Sequence, residues 1–489
     1  MGNCSVRDFG AVGDGVTPDT QNIQRAIDAC WQDGGGTVTI PAGHYLSGSI
    51  RLKSNVRLFL DAGAVLLAST HPTDFKVDAD YVDSKTGYFI GAVDAENISV
   101  AGYGEIFGRG DLQMERDDGV SEYPLLPAEM RFQMCYFRGC RNVRLEDVTL
   151  RQSSEWTVHL IGCRHVVIHA IHILNNRRGA NNDGIDPDAC QDVRISECHI
   201  EGGDDAIVIK ATRNAALQYG GCENIVVSGC TLISRGSAVK IGTETFGPIR
   251  DCVVTGCVIR QSNRGVGIWV RDGGIVENIL IANLVIETRM FRGAPHRDRV
   301  RDWWGKGEPI FLSAACRQPG RFPGKIRRVR VCHILAECEN SVFLQGTAES
   351  PLEDICLEGL QMRFRMVSGL EGGWFDIQPP EDQVFAHDNP AIYGNHVRGL
   401  TVWDVVVSWA APESKHWSHL VQCENAVNLW LDGISGQAAR PGLPVVALKN
   451  VRGVRLDCCP ESEKSTYLAC SHVEKAWQSL PSPDGGPAA

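Results

Sequence analysis

Along most of this chain apolar and polar residues alternate with a period of two, in short runs interrupted by a polar residue or a glycine. The segments CRNVRLEDVTL (140–150), CRHVVIHAIHI (163–173), CQDVRISECHI (190–200), CENIVVSGCTL (222–232), RDCVVTGCVI (250–259) and VENILIANLVI (276–286) share one shape. A polar turn, often built on Asn or Asp, leads into an alternating β-branched stretch, a small or polar corner, and a second short stretch. Weaker copies stand at IRRVRVCHIL (326–335), LEDICLEGLQM (352–362), VRGLTVWDVVV (397–407), AVNLWLDGIS (426–435) and VRGVRLDCC (451–459), with an earlier one at AENISVAGYGEI (95–106). The clear copies recur every roughly 23–32 residues, within the range of solenoid repeats.

A period of two predicts strands rather than helices. Short strands of successive coils can pair in register about 4.8 Å apart, stacking inward Val, Ile, Leu and Cys into one core. The architecture this predicts is an all-β solenoid, a parallel β-helix. An antiparallel sandwich is the alternative, although it has no need of the same corner in every unit. Solenoid ends require caps, and DTQNIQRAIDACWQDGGG supplies one. Ile23, Ala26, Ile27 and Cys30 fall on one helical stripe, Asp19 or Thr20 is placed to cap the helix, and Gly34 to end it. The wider gaps, about 290–323 and 367–396, predict long loops inserted at corners. They carry Trp303, Trp304, Lys306, Glu308, Trp374, Phe375 and Asp376, and loops of that length on a regular scaffold are often functional. Residues 1–475 then form a single β-helical domain and 476–489 a disordered tail.

Composition narrows the function classes. The chain of 489 residues is 43% hydrophobic and 22% charged, and 48 Lys+Arg against 59 Asp+Glu leave a net charge of −11. That balance argues against a broad nucleic-acid or anionic-membrane surface. No apolar run of about 18 residues predicts a membrane span. The start, MGNCSVRDFGAVGDG, shows no basic stretch followed by an apolar core. The 19 cysteines are odd in number, spread out and without a CxxC pair, which predicts buried thiols in a reducing, cytoplasmic setting rather than disulfides or a zinc site.

Candidate chemistry sits in two consecutive coils. NNDGID (181–186) precedes one repeat and GGDD (202–205) follows it, so a β-helix would bring Asp183 close to Asp204 and Asp205. Gly202 and Gly203 would permit a bulge that aims both aspartates outward. Clustered carboxylates raise one another's proton affinity, so such a group can hold an acid and a base near neutral pH. Those are the tools of glycosidic cleavage. Two other readings stay open: a solvated turn, and a calcium site of oxygen ligands.

These segments carry a resemblance. VRDFGAVGDGVTPDTQNIQRAIDAC, GGGTVTIPAGHYLSGSIRLKSNVRLFLDAGAVLLAS, SSEWTVHLIGCRHVVI, NNDGIDPDAC and GGDDAIVIK resemble the polygalacturonases, family 28 of the glycoside hydrolases, over about the first two-thirds of the chain. The resemblance implies a right-handed parallel β-helix and hydrolysis with inversion. It makes Asp204 similar to the general acid, and Asp183 and Asp205 similar to the pair that holds and activates water. Inverting carboxyl groups are expected about 6.5–9.5 Å apart. The likeness then lapses: SRGSAVKIG puts Ser237 where the family has a histidine, and RGVGIWVRDGG puts Gly267, Ile268 and Trp269 where it has an Arg-Ile-Lys clamp for a uronate.

Two substrate expectations follow. A uronate could be held instead by Lys240, Lys210, Arg264, Arg271 or Lys306, with Trp303 and Trp304 stacking on sugars. Alternatively the sugar is neutral and Trp269 is its apolar platform. Lys210 and Lys240 also read as plain corner charges, His159 as structural, and Arg289 and Asp272 as remote candidates. The leading expectation is an exo-acting inverting hydrolase of pectin-related oligosaccharides, working without cofactor or metal. A β-elimination lyase, which needs a cation and a basic residue, and a non-catalytic glycan-binding solenoid are the rivals.

Overall fold

Two positions recur from coil to coil in the left-handed region of backbone space, and they explain the repeat. The computed structural model describes residues 2–81, 86–127, 131–292, 305–318, 320–377, 384–456 and 468–478. The polar turn position is Asn142 in one coil, then His165, Asp192, Asn224, Asp251, Asn278, Arg328 and Asp354, all with φ between 53° and 58°. The second corner falls on Asp147, Ala170, Glu197, Gly229, Gly256, Asn283, His333 and Gly359, again at positive φ. Asn, Asp and Gly bear that conformation at least cost, so their recurrence is the imprint of the corners. The Asn side chains add a ladder at the first corner, Asn142 Nδ2 donating to Asn97 Oδ1 and Asn97 Nδ2 to Asn55 Oδ1, each at 2.8 Å.

Between corners the strands stack in parallel, coil on coil, into a right-handed parallel β-helix. One interior column runs in register through Val143, Val166, Val193, Ile225, Cys252, Ile279, Val329, Ile355, Leu400, Leu429 and Val454. All of them are buried in a single continuous core. The cap is the helix Thr20–Gln32, whose Ile23, Ala26, Ile27 and Cys30 are buried as its pattern predicts. Asp19 precedes the helix without capping it through its side chain. Its carboxylate instead accepts the Val12 and Gly13 N–H groups at 2.7 and 2.9 Å, pinning the entering chain. The last strand spans Leu468–Gln478, past residue 475. Among the described residues no helix is long and apolar enough to cross a membrane.

Candidate active site

The carboxylates come from strand ends on one face. Asp183 lies just before the strand Ile185–Asp188, and Asp204 and Asp205 lie in the corner between His199–Gly202 and Ile207–Ala211. The register pair Ile185↔Ile207, carried two residues back, sets Asp183 level with Asp205 in adjacent coils. Neither Gly202 nor Gly203 has the left-handed backbone expected of a bulge. Gly203 is needed for contact: a Cβ there would stand 2.3 Å from the Gly179 carbonyl oxygen. Asn182 completes the corner, its Oδ1 accepting the Gly203 and Asp204 N–H groups at 2.9 and 3.1 Å.

One oxygen from each of Asp183, Asp204 and Asp205 lies within 4.8 Å of the others. That is shorter than the separation expected of inverting carboxyl groups. Each carboxyl carbon is a further 1.2 Å or so from its oxygen, so the groups stand at the short end of about 6.5–9.5 Å or below it.

Each carboxylate has its own setting. Asp205 is buried and doubly held: the Ser237 N–H donates to Oδ1 at 2.6 Å and Lys240 Nζ to Oδ2 at 2.7 Å. Asp204 is half-buried and accepts the Asn181 N–H at 3.1 Å and the Asp205 N–H at 2.9 Å. Burial and then the Asp205 charge push it up to about 6. Asp183 is buried with Oδ1 lacking a hydrogen-bond partner. Burial, then the charges of Asp204 and Asp186, hold it well above the ordinary carboxylate value, against the pull of Lys210. Asp183 and Asp204, both displaced upward and facing each other's charge, titrate together and hold a proton near neutral pH.

The cavity around them is about 350 Å³, walled also by Trp156, Asn181, Lys210, Ser237, Lys240, Glu244, Arg264 and Arg317. Lys210 is not a loose corner charge: its Nζ lies 2.7 Å from buried Asp186 and 3.7 Å from the centre of the Trp156 ring. Burial works against the Lys210 ammonium, but Asp186 and Asp183 outweigh it and raise its pKa. Arg264 is fully buried against Glu308 at 3.2 Å. Arg317, from the segment after the strand Ile310–Ala314, pairs with Asp272 at 3.0 Å and Glu244 at 3.4 Å. Glu244 is held below its ordinary value, burial being outweighed by Lys210, Lys240 and Arg317.

Other expected contacts fall elsewhere. Trp269 is no sugar platform: it is 0% exposed, with its ring stacked on Phe311 at 4.8 Å in a ladder continuing through Phe343 to Tyr393. Arg271 does not wall the cavity: it is buried and donates to the Ala315 and Ile377 carbonyl oxygens, tying two loops together. Lys306 sits 3.7 Å from Asp376, outside the cavity wall, although its neighbour Gly305 is part of that wall. Trp303 and Trp304 lie outside the described residues. The three carboxylates are the group of described residues able to hold a metal ion. A calcium ion wants six to eight oxygens, whereas here an ammonium already bonds Asp205.

Sequence reading passed over Trp156, Glu244 and Arg317. Aligning the repeats on their strands would have found the first, because Val158 pairs with Ile185 and so sets Trp156 level with Asp183.

The model of the glycosyl hydrolases family 28 matches residues 30–289. A probable polygalacturonase of Vitis vinifera is 31% identical over 377 residues, covering 73% of this chain and 74% of that protein. An exo-poly-alpha-D-galacturonosidase of Dickeya chrysanthemi is 25% identical over 310 residues, covering 54% of this chain and 51% of that one. The crystal structure of a hyperthermoactive exopolygalacturonase from Thermotoga maritima shares the fold with a TM-score of 0.63 at 23% identity, over 83% of this chain and 92% of its own.

Proposed function

We propose that this chain, which belongs to the glycosyl hydrolases family 28 and is a glycoside hydrolase, removes sugars from the ends of pectin-derived oligosaccharides with inversion. The observation that carries the reading is the convergence of three carboxylate oxygens within 4.8 Å at a cavity of about 350 Å³. Asp204, half-buried and pushed up to about 6, is the acid that protonates the leaving oxygen. Asp183 and Asp205 take the water. Asp183 Oδ1 has no partner within the protein, and Asp205 is oriented by Ser237 N–H and Lys240. Burial holds Asp183 up most, but while Asp204 carries the proton its charge no longer opposes Asp183, and Lys210 pulls toward the ionised form against burial and Asp186. The exo mode draws support from the exo-acting relative and structural neighbour. Cytoplasmic action draws support from the free thiols of the described cysteines, most of them buried.

One observation favours a neutral sugar at the reacting centre. Each cation of the cavity wall already has an acid: Lys210 has Asp186, Lys240 has Asp205, Arg264 has Glu308, and Arg317 has Asp272. A screen of galacturonate and neutral α-linked oligosaccharides, with wild type and Asp204→Asn, tests both readings. The substitution is expected to cost about 10²–10⁴-fold in kcat without loss of the fold. An unchanged rate would remove Asp204 from the acid role, and an unsaturated product lost on chelation would make the chain a lyase.

A further inference from the structure

A second cavity, of about 410 Å³, lies on the far side of Trp156 from the carboxylates, toward the N-terminal coils. Trp156 is a wall of both. Resting on the hydrolase reading above, we propose that this cavity is a subsite for one uncharged pyranose ring of the same oligosaccharide, next to the ring being cleaved.

Its size falls in the range of small-ligand sites, about 300–1,000 Å³. Its walls are those that sugars use: Tyr136, Trp156 and His159 supply ring faces and edges. They are locked together, His159 standing edge-on to Trp156 at 4.7 Å and to Tyr136 at 5.9 Å. Apolar ring faces match the C–H face of a pyranose, while polar atoms between them address its hydroxyls.

One polar atom points to a ligand. His159 is 5% exposed, its Nδ1 faces Gln133 Oε1 at 3.1 Å, and its Nε2 has no hydrogen-bond partner. Asp188 Oδ2 is 3.7 Å from that Nε2, beyond hydrogen-bond reach, and is already satisfied by the Thr212 hydroxyl at 2.6 Å. A hydroxyl both donates and accepts, so it meets Nε2 in either tautomer of the ring. A buried polar atom left unmet is costly, and a sugar hydroxyl in the cavity meets it.

The charges select against a uronate here. Glu155 is paired with Arg131 at 3.1 Å, and Asp188 adds a carboxylate with no arginine or lysine of its own among the walls. A substrate carboxylate would enter a wall carrying two carboxylates to one guanidinium. The cavity is also wired to the reacting centre. Arg131 Nη1 donates to Asn181 Oδ1 at 3.1 Å, and the Asn181 N–H donates to Asp204 Oδ2 at 3.1 Å. Filling it would steady the acid.

The test measures binding to the Asp204→Asn protein by titration calorimetry. The probes are galacturonic acid and its α-linked disaccharide, and the same pair after carboxyl reduction. In the reduced series the second ring is expected to tighten Kd about tenfold, the worth of one buried hydrogen bond. In the acidic series the gain should stay below about threefold. His159→Ala should abolish the gain, and Gln133→Ala, at a less buried position, should reduce it if the first variant does not fold. An equal or larger gain in the acidic series, an undiminished gain in either folded variant, or no binding of either series overturns the subsite. Wild-type turnover of polygalacturonate is followed in parallel. Turnover without the gain counts against the subsite alone, and the gain without turnover of any probe counts against the hydrolase reading alone.

Discussion

Lys240 Nζ stands 2.7 Å from Asp205 Oδ2 while the Ser237 N–H holds the other oxygen of the same carboxylate at 2.6 Å. The coil after the carboxylates therefore fixes Asp205 from two directions, by a backbone donor that tolerates sequence change and an ammonium that does not. Lys240 also pulls Asp204 downward, against burial and Asp205. Lys240→Met should thus do two things. It should lower kcat by about ten- to a hundredfold through the freed Asp205. It should also raise the Asp204 pKa above its value of about 6, moving the alkaline limb of the kcat–pH profile to higher pH. A profile that keeps its position while kcat falls would mean that Lys240 acts on Asp205 alone.

The raised proton affinity of Asp204 also has a sign for stability. Its folded value, about 6, lies above its ordinary 3.8, so the folded state binds the proton more tightly than the unfolded chain. Its contribution is present in full below the ordinary value and is lost as pH rises through about 6. Buried Asp183 is displaced in the same direction. The protein should melt higher at pH 5 than at pH 7. Asp204→Asn should remove part of that slope and raise the melting temperature at pH 7 by about 1–3 °C while nearly abolishing turnover. Melting curves of both proteins across that pH range check it.

The residues show why part of this was legible in the sequence. Corners that demand a left-handed backbone leave Asn, Asp or Gly at fixed places, so Asn142, Asp192 and Asn224 report the coil length directly. Asp183 and Asp205 were legible because one coil separates them and the register is simple. The role of Trp269 was not. Whether a tryptophan on a strand points to solvent or lies down depends on its neighbours two residues and one coil away. Here a side chain at position 267 would meet the Trp269 ring at 2.2 Å, so the glycine makes the space the indole fills. Arg317 was hidden for another reason: it pairs with Glu244, 73 residues away, through a segment with no repeat pattern.

If Trp269 were a sugar platform, Trp269→Ala would raise KM and leave stability alone. As a member of the Phe311–Phe343–Tyr393 ladder it should instead cost about 3–5 kcal/mol of stability, the toll of emptying a buried aromatic site. Gly267→Ala should destabilise as well, since its methyl meets a packed indole rather than a flexible chain end. Chemical denaturation of the two variants decides between the roles. A large KM effect with unchanged unfolding would return Trp269 to the substrate.

The stereochemistry of the product is the sharpest test of the carboxylate spacing. Retention needs a carboxylate close enough to attack the sugar itself, with the two groups about 5–5.5 Å apart; inversion needs room for a water between them. The nearest oxygens of the three acids lie within 4.8 Å, which places the groups near the border between the two. What tips the balance is how each oxygen is engaged. Asp205 has both oxygens bonded to Ser237 N–H and Lys240, so it is poorly disposed to form a covalent bond to a sugar. Asp183 keeps a buried unpaired oxygen beside it, suited to a water shared by the two. Inversion is therefore expected despite the short spacing. Proton NMR of the first-formed anomer, taken before mutarotation, should show the configuration opposite to that of the cleaved bond. Retention, or a glycosyl adduct trapped on Asp183 or Asp205, would turn one of these water-holding acids into a nucleophile.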